Sequence, residues 1–127
     1  TDLKDYVSRV WGHHDDITPW HFLLAEDCEH IALTGRGTLR GNGAAFWEPE
    51  RKDEWSFWIA KKQERPSPMV EIVRCRHVLL DGIRIEDSPG WTLHGHDCNH
   101  LRIEGITIRN THFGPNVDGI DLTGCQD

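Results

Sequence analysis

The sequence lacks several features that would assign the protein to a common functional class. No apolar run approaches the roughly 18 residues that a membrane-spanning helix needs. Residues 1–10 are charged and have no apolar stretch, so they do not resemble a signal peptide. The formal net charge is −7, which argues against a nucleic-acid partner because phosphate binding needs a basic surface. We therefore expect neither a membrane nor nucleic acid as a partner.

Several ligand-binding motifs are missing as well. Cysteine occurs at Cys28, Cys75, Cys98 and Cys125. None of these forms a Cys-x-x-Cys pair, which excludes the usual zinc-ribbon and thioredoxin motifs. The Gly-rich segment 34–43 is not followed by Gly-Lys-Ser/Thr, so it is better explained as backbone corners than as a phosphate loop. His94 and His96 would share a strand face, but no third ligand stands at a set spacing, and we predict no metal site.

What the sequence does contain is an internal repeat. Segments beginning at Cys28, Cys75 and Cys98 each follow the pattern Cys-x-His-aliphatic-x-aliphatic-x-Gly, and Cys125 begins a fourth copy. The steps between these cysteines are 47, 23 and 27 residues, and the longest fits two turns, or one turn with an inserted loop. This period indicates a solenoid. Residues 101–108 alternate with period two, which predicts strands with one buried face and hence an all-β solenoid.

Stacked coils would place equivalent residues on top of each other at about 4.8 Å. Cys75, Cys98 and Cys125 would then form an internal ladder of buried thiols. Neighbouring side chains in such a ladder point the same way, which suits a disulfide poorly, so we predict free thiols and keep a redox or metal role as the alternative. The histidines two positions later would form a parallel, structural ladder: His30, His77 and His100.

Residues 46–65 interrupt the repeat with tryptophans and phenylalanines among charged residues. We interpret this segment as an inserted loop or short helix. Its aromatic residues would either cap the side of the solenoid or form a sugar-binding platform, since tryptophan faces suit the apolar faces of pyranose rings. Residues 1–19 are polar and are expected to cap or edge the solenoid. The prediction is one partial β-helix domain over residues 1–127 with an aromatic-rich insertion at about 46–65.

Four segments, in this order, resemble glycoside hydrolase family 28, the polygalacturonase family. They are residues 31–43 (ITGxGTIDGxG in the family), Arg65-Pro66 with residues 75–82 (RP…CxNVxIxG), residues 88–94 (SPxWxxH) and residues 114–121 (GPNTDGID). The last segment is specific by itself, and together the segments span most of the chain. Two departures stand out: Val117 replaces the usual Thr, which alters the cleft, and Arg40 replaces an Asp, which we interpret as a corner change.

The resemblance implies a right-handed parallel β-helix of the pectin-lyase-like type, here its truncated N-terminal part. It implies hydrolysis of α-linked galacturonan or a related pectic polysaccharide with inversion, and no cofactor or metal. Asp118 corresponds to one of three catalytic carboxylates, and Asn116 to a substrate-binding residue of the cleft. Asp121 is the second expected substrate-binding residue, with a structural role as its alternative. The parent protein is expected to be secreted or periplasmic.

The remaining catalytic groups of the family are an Asp-Asp pair, a Gly-His-Gly and an Arg-x-Lys, and they would lie beyond Asp127. We therefore expect the fragment alone to be inactive, because an inverting glycosidase needs both an acid and a base. Two alternatives stay open: a non-catalytic carbohydrate-binding or structural β-solenoid, and a β-helix lyase or epimerase that acts on uronates.

The strand pattern around Asp118 conflicts with its expected role. Strict alternation groups Asp118 with Ile120 and Leu122, which are expected to be buried. Asp118 can face solvent only if the strand is interrupted near Gly119 or if the aliphatic residues point outward. A buried, hydrogen-bonded Asp118 is the structural alternative.

Overall fold

The computed structural model describes residues 7–8, 20–52, 58–60 and 65–127. The strands in this part are β1 Val7–Ser8, β2 Trp20–His21, β3 Leu23–Glu26, β4 Glu29–Thr34, β5 Thr38–Arg40, β6 Trp47–Lys52, β7 Trp58–Ala60, β8 Val70–Val73, β9 Arg76–Asp81, β10 Arg84–Glu86, β11 Leu93–His96, β12 Asn99–Glu104, β13 Thr107–Arg109 and β14 Ile120–Thr123. A 3₁₀ helix spans Gly43–Phe46. Within the described ranges, no helix has the length and apolarity that crossing a membrane requires.

Three parallel sheets form the body of the fold. Sheet 1 has the order β14-β11-β8-β3, sheet 2 the order β12-β9-β4, and sheet 3 the order β13-β10-β5. The chain visits the sheets in turn, so each coil adds one strand to each sheet, and β14 begins a fourth coil. The all-β solenoid predicted from the repeat is confirmed, as is the parallel β-helix that the family resemblance implies.

Strand register explains the long step of 47 residues. β8 pairs directly with β3, with Val70 opposite Leu23, so the step is one coil with an insertion and not two coils. The insertion contains an antiparallel hairpin of β6 and β7, in which Trp47 lies opposite Ala60. The sequence predicted a loop or short helix here, and the hairpin was missed because an irregular insertion has no repeat to follow. Residues 53–57 and 61–64 lie outside the described part.

The core is built from the inward-facing residues of each strand. One ladder runs through sheet 3, where Leu39, Ile85 and Ile108 are neighbours in register. Ile85 is fully buried at its centre. Burying a side chain of this size contributes roughly 1.5–3 kcal/mol, so the inward-facing residues of the period-two alternation stabilise the fold.

The cysteine ladder is confirmed and has one more member than predicted. Cys28, Cys75, Cys98 and Cys125 are all free thiols in successive coils. The Cys75 and Cys98 thiols are buried, and burial raises the pKa of each. The Cys75 thiol donates a hydrogen bond to the carbonyl oxygen of Val73 at 3.2 Å. The cysteines therefore act as small apolar residues in the corner between sheets 1 and 2.

The histidine ladder is also confirmed, and it lies on the outside of the helix. The rings of His30 and His77 are stacked with centroids 4.7 Å apart, as are those of His77 and His100. All three residues have left-handed backbone conformations, with φ between 53° and 55°. Asp127 occupies the same position in the fourth coil, and its carboxylate lies 3.1 Å from His100 Nδ1.

Candidate active site

Sheet 1 carries a column of polar residues on its outward face. Val70, Ile72 and Leu93 point into the core, so the residues between them point away from it. Strand register places His94 beside Glu71 on one side and beside Asp121 on the other. The outward face of sheet 1 therefore brings together one imidazole and two carboxyl groups from three successive coils.

Asp118 lies directly before β14 and its side chain is exposed to solvent. The Thr92 amide donates to the Asp118 carbonyl oxygen at 3.0 Å, and the Leu93 amide to that of Gly119 at 3.2 Å. Because β14 begins only at Ile120, Asp118 does not follow the alternation of that strand. The strand is thus interrupted near Gly119, which is the first of the two arrangements that would expose Asp118.

The aliphatic residues of β14 point inward despite being exposed. Ile120 and Leu122 are 44% and 57% exposed. A Cβ atom built on Gly95 would lie 2.9 Å from Leu122 Cδ2, so the Leu122 side chain fills the space beneath the neighbouring strand. The expectation that these residues are buried is wrong: they point inward, but β14 is the edge strand of sheet 1 in the described part of the chain, so they stay exposed.

Arg65 holds the turn that precedes Asp118. Its side chain is only 5% exposed. Nη1 donates to the carbonyl oxygens of Pro115 at 3.0 Å and Pro89 at 3.2 Å. Nη2 donates to Asn116 Oδ1 at 3.1 Å, which orients the exposed Asn116 amide. The guanidinium thereby connects two neighbouring turns through its planar fork of donors.

Trp47 supports the same turn from below. It is buried, and its indole Nε1 donates to the carbonyl oxygen of Pro89 at 3.1 Å. A Cβ atom on Gly114 would lie 2.7 Å from Trp47 Cη2, so only glycine allows this approach. Trp47 therefore caps the solenoid and offers no open face to a sugar. Trp55, Phe57 and the Trp58 side chain lie outside the described part.

Asn110 connects the turn to the coil beneath it. Its Nδ2 donates to Thr92 Oγ1 at 2.7 Å and to the Val117 carbonyl oxygen at 3.1 Å. Its Oδ1 accepts a hydrogen bond from the Ser88 amide at 3.0 Å. The side chain thus satisfies three polar groups of different segments. Sequence reasoning named Arg65 only as part of a motif and did not name Asn110, because the contacts of both residues bridge distant parts of the chain.

The two departures from the family pattern have different surroundings. Val117 lies within the turn, where its Cγ1 would be 2.7 Å from a Cβ atom on Gly114. Arg40 lies on sheet 3, away from Asp118, and its Nη2 donates to Glu86 Oε2 at 2.7 Å. This guanidinium lowers the pKa of Glu86. Only Val117 therefore touches the candidate site.

Asp121 has an environment unlike that of Asp118. Its side chain is partly buried, and among the described residues Oδ2 has no hydrogen-bond partner. Burial raises the pKa of Asp121, the nearby Asp118 carboxylate raises it further, and His94 opposes both effects. The candidate site therefore combines an exposed carboxyl group, Asp118, with a partly buried one, Asp121.

His94 is buried against Glu71, and the two are 1% and 0% exposed. His94 Nδ1 lies 3.1 Å from Glu71 Oε2, and Nε2 lies 3.1 Å from Thr123 Oγ1. His96 points the same way on β11, but its Nε2 lies 3.2 Å from Asp97 Oδ2. In the described part of the chain, no three His, Cys, Asp or Glu side chains form a group that could hold a metal ion.

Comparison with known proteins identifies a family. The sequence model of Glycosyl hydrolases family 28 matches residues 12–127. A probable polygalacturonase of Arabidopsis thaliana is 29% identical over 101 residues, which are 80% of this chain and 19% of that protein. A polygalacturonase of Persea americana is 28% identical over 127 residues, 99% of this chain and 25% of that protein.

The chain thus spans between a fifth and a quarter of the length of these curated relatives. No solved structure matches it significantly. The family match covers almost the whole chain. The fold of the chain and the order of its four family-like segments agree with this match. The chain belongs to glycoside hydrolase family 28.

Proposed function

We propose that this chain forms part of a hydrolase that cleaves α-linked galacturonan or a related pectic polysaccharide with inversion, and that it contributes Asp118 as a catalytic carboxylate. The observation that carries the proposal is the pairing of the exposed Asp118 with the partly buried Asp121, three residues later. Both belong to the segment most specific to the family. The polysaccharide would lie along the outward face of sheet 1.

Each residue would have a distinct role. An inverting glycosidase needs an acid for the leaving oxygen and a carboxylate about 6.5–9.5 Å away that activates water. Asp118, exposed and free to accept hydrogen bonds, would hold or activate this water. Asn116, whose amide oxygen accepts from Arg65, would present its amide hydrogens to a substrate hydroxyl. Asp121 would bind substrate as a carboxyl group that keeps its proton to a higher pH than usual.

The proton donor must come from elsewhere. After Asp118 the 127 residues contain no Asp-Asp pair, no Gly-His-Gly and no Arg-x-Lys. The isolated chain would therefore have no hydrolase activity, and the acid and the basic group for a uronate carboxylate would be supplied by further coils. Pectic polymers lie outside the cell, so the complete protein would be secreted or periplasmic.

The test is hydrolysis of polygalacturonate by a protein in which this chain continues past Asp127. Asp118→Asn should lower kcat by about 10²–10⁴-fold, which is the usual contribution of one acid–base group. Asp97→Asn is the matched control, because Asp97 is exposed in the turn after β11 and should leave kcat unchanged.

Two further readouts separate the alternatives. Proton NMR of the first product should show the inverted anomer, whereas an unsaturated product would indicate a lyase. Full activity of the Asp118→Asn variant would make Asp118 a structural residue. Cleavage by the purified 127-residue chain alone would contradict the proposed need for further coils.

A further inference from the structure

The Glu71–His94 pair has no role in the proposed reaction, yet it is the most deeply buried pair of titratable groups beside Asp118 and Asp121 among the described residues. An isolated carboxylate without solvent contact is unfavourable by several kcal/mol, so such groups persist when a partner compensates them. Glu71 Oε1 and Oε2 both lie within 3.2 Å of His94 Nδ1. The Glu71 side chain thus holds the His94 imidazole in a fixed position.

The contacts define which ring nitrogen carries a proton. An ionised Glu71 side chain can only accept hydrogen bonds, and against it His94 Nδ1 acts as the donor. His94 Nε2 faces the Thr123 hydroxyl at 3.1 Å, which can either donate to it or accept from it. His94 is therefore the Nδ1–H tautomer or the imidazolium ion. The Trp91 ring stands edge-on at 5.6 Å from the imidazole and limits its rotation.

The same imidazole lies next to Asp121. The two residues are register partners on adjacent strands and both point outward. The Asp121 carboxyl has a buried Oδ2 that no described residue hydrogen-bonds, so its state depends on nearby charge more than on direct contacts. Thr123, which contacts His94 Nε2, is two residues further along the same strand as Asp121 and shares its face.

We propose that His94, held in place by Glu71 and Thr123, is a positioning residue of the acidic site that sets the charge state of the neighbouring Asp121 carboxyl group. The catalytic importance of His94 rests on the proposed function. The effect of His94 on the charge of Asp121 does not, because both residues belong to this chain. The opposing effects of His94 and Asp118 on the pKa of Asp121 agree with this arrangement.

The titratable groups around Asp121 come from three elements. Asp118 precedes its own strand, His94 and His96 lie on β11, and Glu71 lies on β8. Among these groups, Asp118 raises the pKa of Asp121 and His94 lowers it, in addition to the larger effect of burial, which raises it. His96 is two residues further along and pairs with Asp97, so it should matter less.

The first experiment needs no variant. Long-range ¹H–¹⁵N NMR of the 127-residue chain reports the protonation of each ring nitrogen of His94. We expect a proton on Nδ1, the ring nitrogen that faces Glu71. A neutral His94 with its proton on Nε2 would overturn the proposal, because Nδ1 could not then donate to Glu71.

The second experiment follows the ¹³C carboxyl resonance of Asp121 with pH. His94→Gln should raise the titration midpoint by about 1 pH unit, the usual effect of removing an opposite charge nearby. His96→Gln, the matched control on the same strand, should shift the midpoint by less than half as much. Equal midpoints in the original chain and the His94→Gln variant would overturn the proposal.

His94→Asn serves as a second variant if His94→Gln fails to fold. It also replaces the imidazole by an uncharged amide, so the Asp121 midpoint should again rise. An unchanged midpoint would count against the proposal. A purely structural His94 would affect folding and leave this midpoint unmoved. These readouts do not depend on hydrolysis, so failure of the proposed function would leave them intact.

Discussion

Replacement of Arg65 by lysine tests how the turn before Asp118 is held. Lysine keeps the positive charge but has one nitrogen in place of the planar fork of arginine. In the structure two nitrogens of Arg65 reach three acceptors, on Pro89, Pro115 and Asn116. A single ammonium group cannot occupy both nitrogen positions, so at least one of the three acceptors loses its donor.

The cost can be estimated from these contacts. A hydrogen bond to a charged group contributes about 1.5–3 kcal/mol, and an acceptor left buried without a donor adds a penalty. Arg65 is almost fully buried, so water cannot replace the lost bonds. If lysine keeps one or two of the three bonds, the free energy of unfolding should fall by about 3 kcal/mol.

Urea unfolding of the 127-residue chain measures this difference. Arg102→Lys is the matched control, because Arg102 is 73% exposed and bonds only one described residue, Glu104. Its effect should stay below about 0.5 kcal/mol. Hydrogen exchange at the Thr92 amide, which bonds Asp118, should also become faster in Arg65→Lys. If Arg65→Lys costs no more than Arg102→Lys and leaves this exchange unchanged, Arg65 does not hold the turn.

Two further predictions concern the turn and the core. Gly114→Ala should lower the free energy of unfolding by about 1–3 kcal/mol, because its Cβ would clash with Trp47. Gly37→Ala is the control and should lower it less, because nothing lies within 4 Å of a Cβ atom at Gly37. Equal losses for the two variants in urea unfolding would refute the clash. Burial raises the pKa of the Cys75 and Cys98 thiols, so above about pH 8.5 the unfolded chain loses protons that the folded chain keeps, and stability should fall as pH rises. Thermal unfolding at several pH values should show a shallower alkaline decline in the Cys75→Ala/Cys98→Ala variant, and an unchanged decline would contradict this origin.

Much of the fold could be predicted because a solenoid repeats its own pattern. The spacing of Cys75 and Cys98 gives the coil length, and the alternation in residues 101–108 gives the buried face. Both ladders follow from the repeat, since equivalent residues must stack. The insertion could not be predicted in the same way, because its hairpin pairs with itself and has no equivalent in other coils.

The support of the candidate site was largely invisible in the sequence. Arg65 contacts Asn116 across 51 residues, and Trp47 contacts Pro89 across 42. Such contacts exist only once the coils are stacked in register, and no local pattern encodes them. The exposure of Asp118 also could not be predicted, because it depends on β14 beginning only at Ile120. Periodicity in a sequence indicates a strand but does not fix where that strand begins.

The most direct test of the account is where a pectic ligand binds. Oligogalacturonates should be titrated into the ¹⁵N-labelled 127-residue chain while the backbone and side-chain amide resonances are followed. We predict that the largest changes fall on residues 114–123 and on His94, which together mark the outward face of sheet 1 and its turn. Changes confined to the outer face of sheet 2 around His77 and His100 would contradict it.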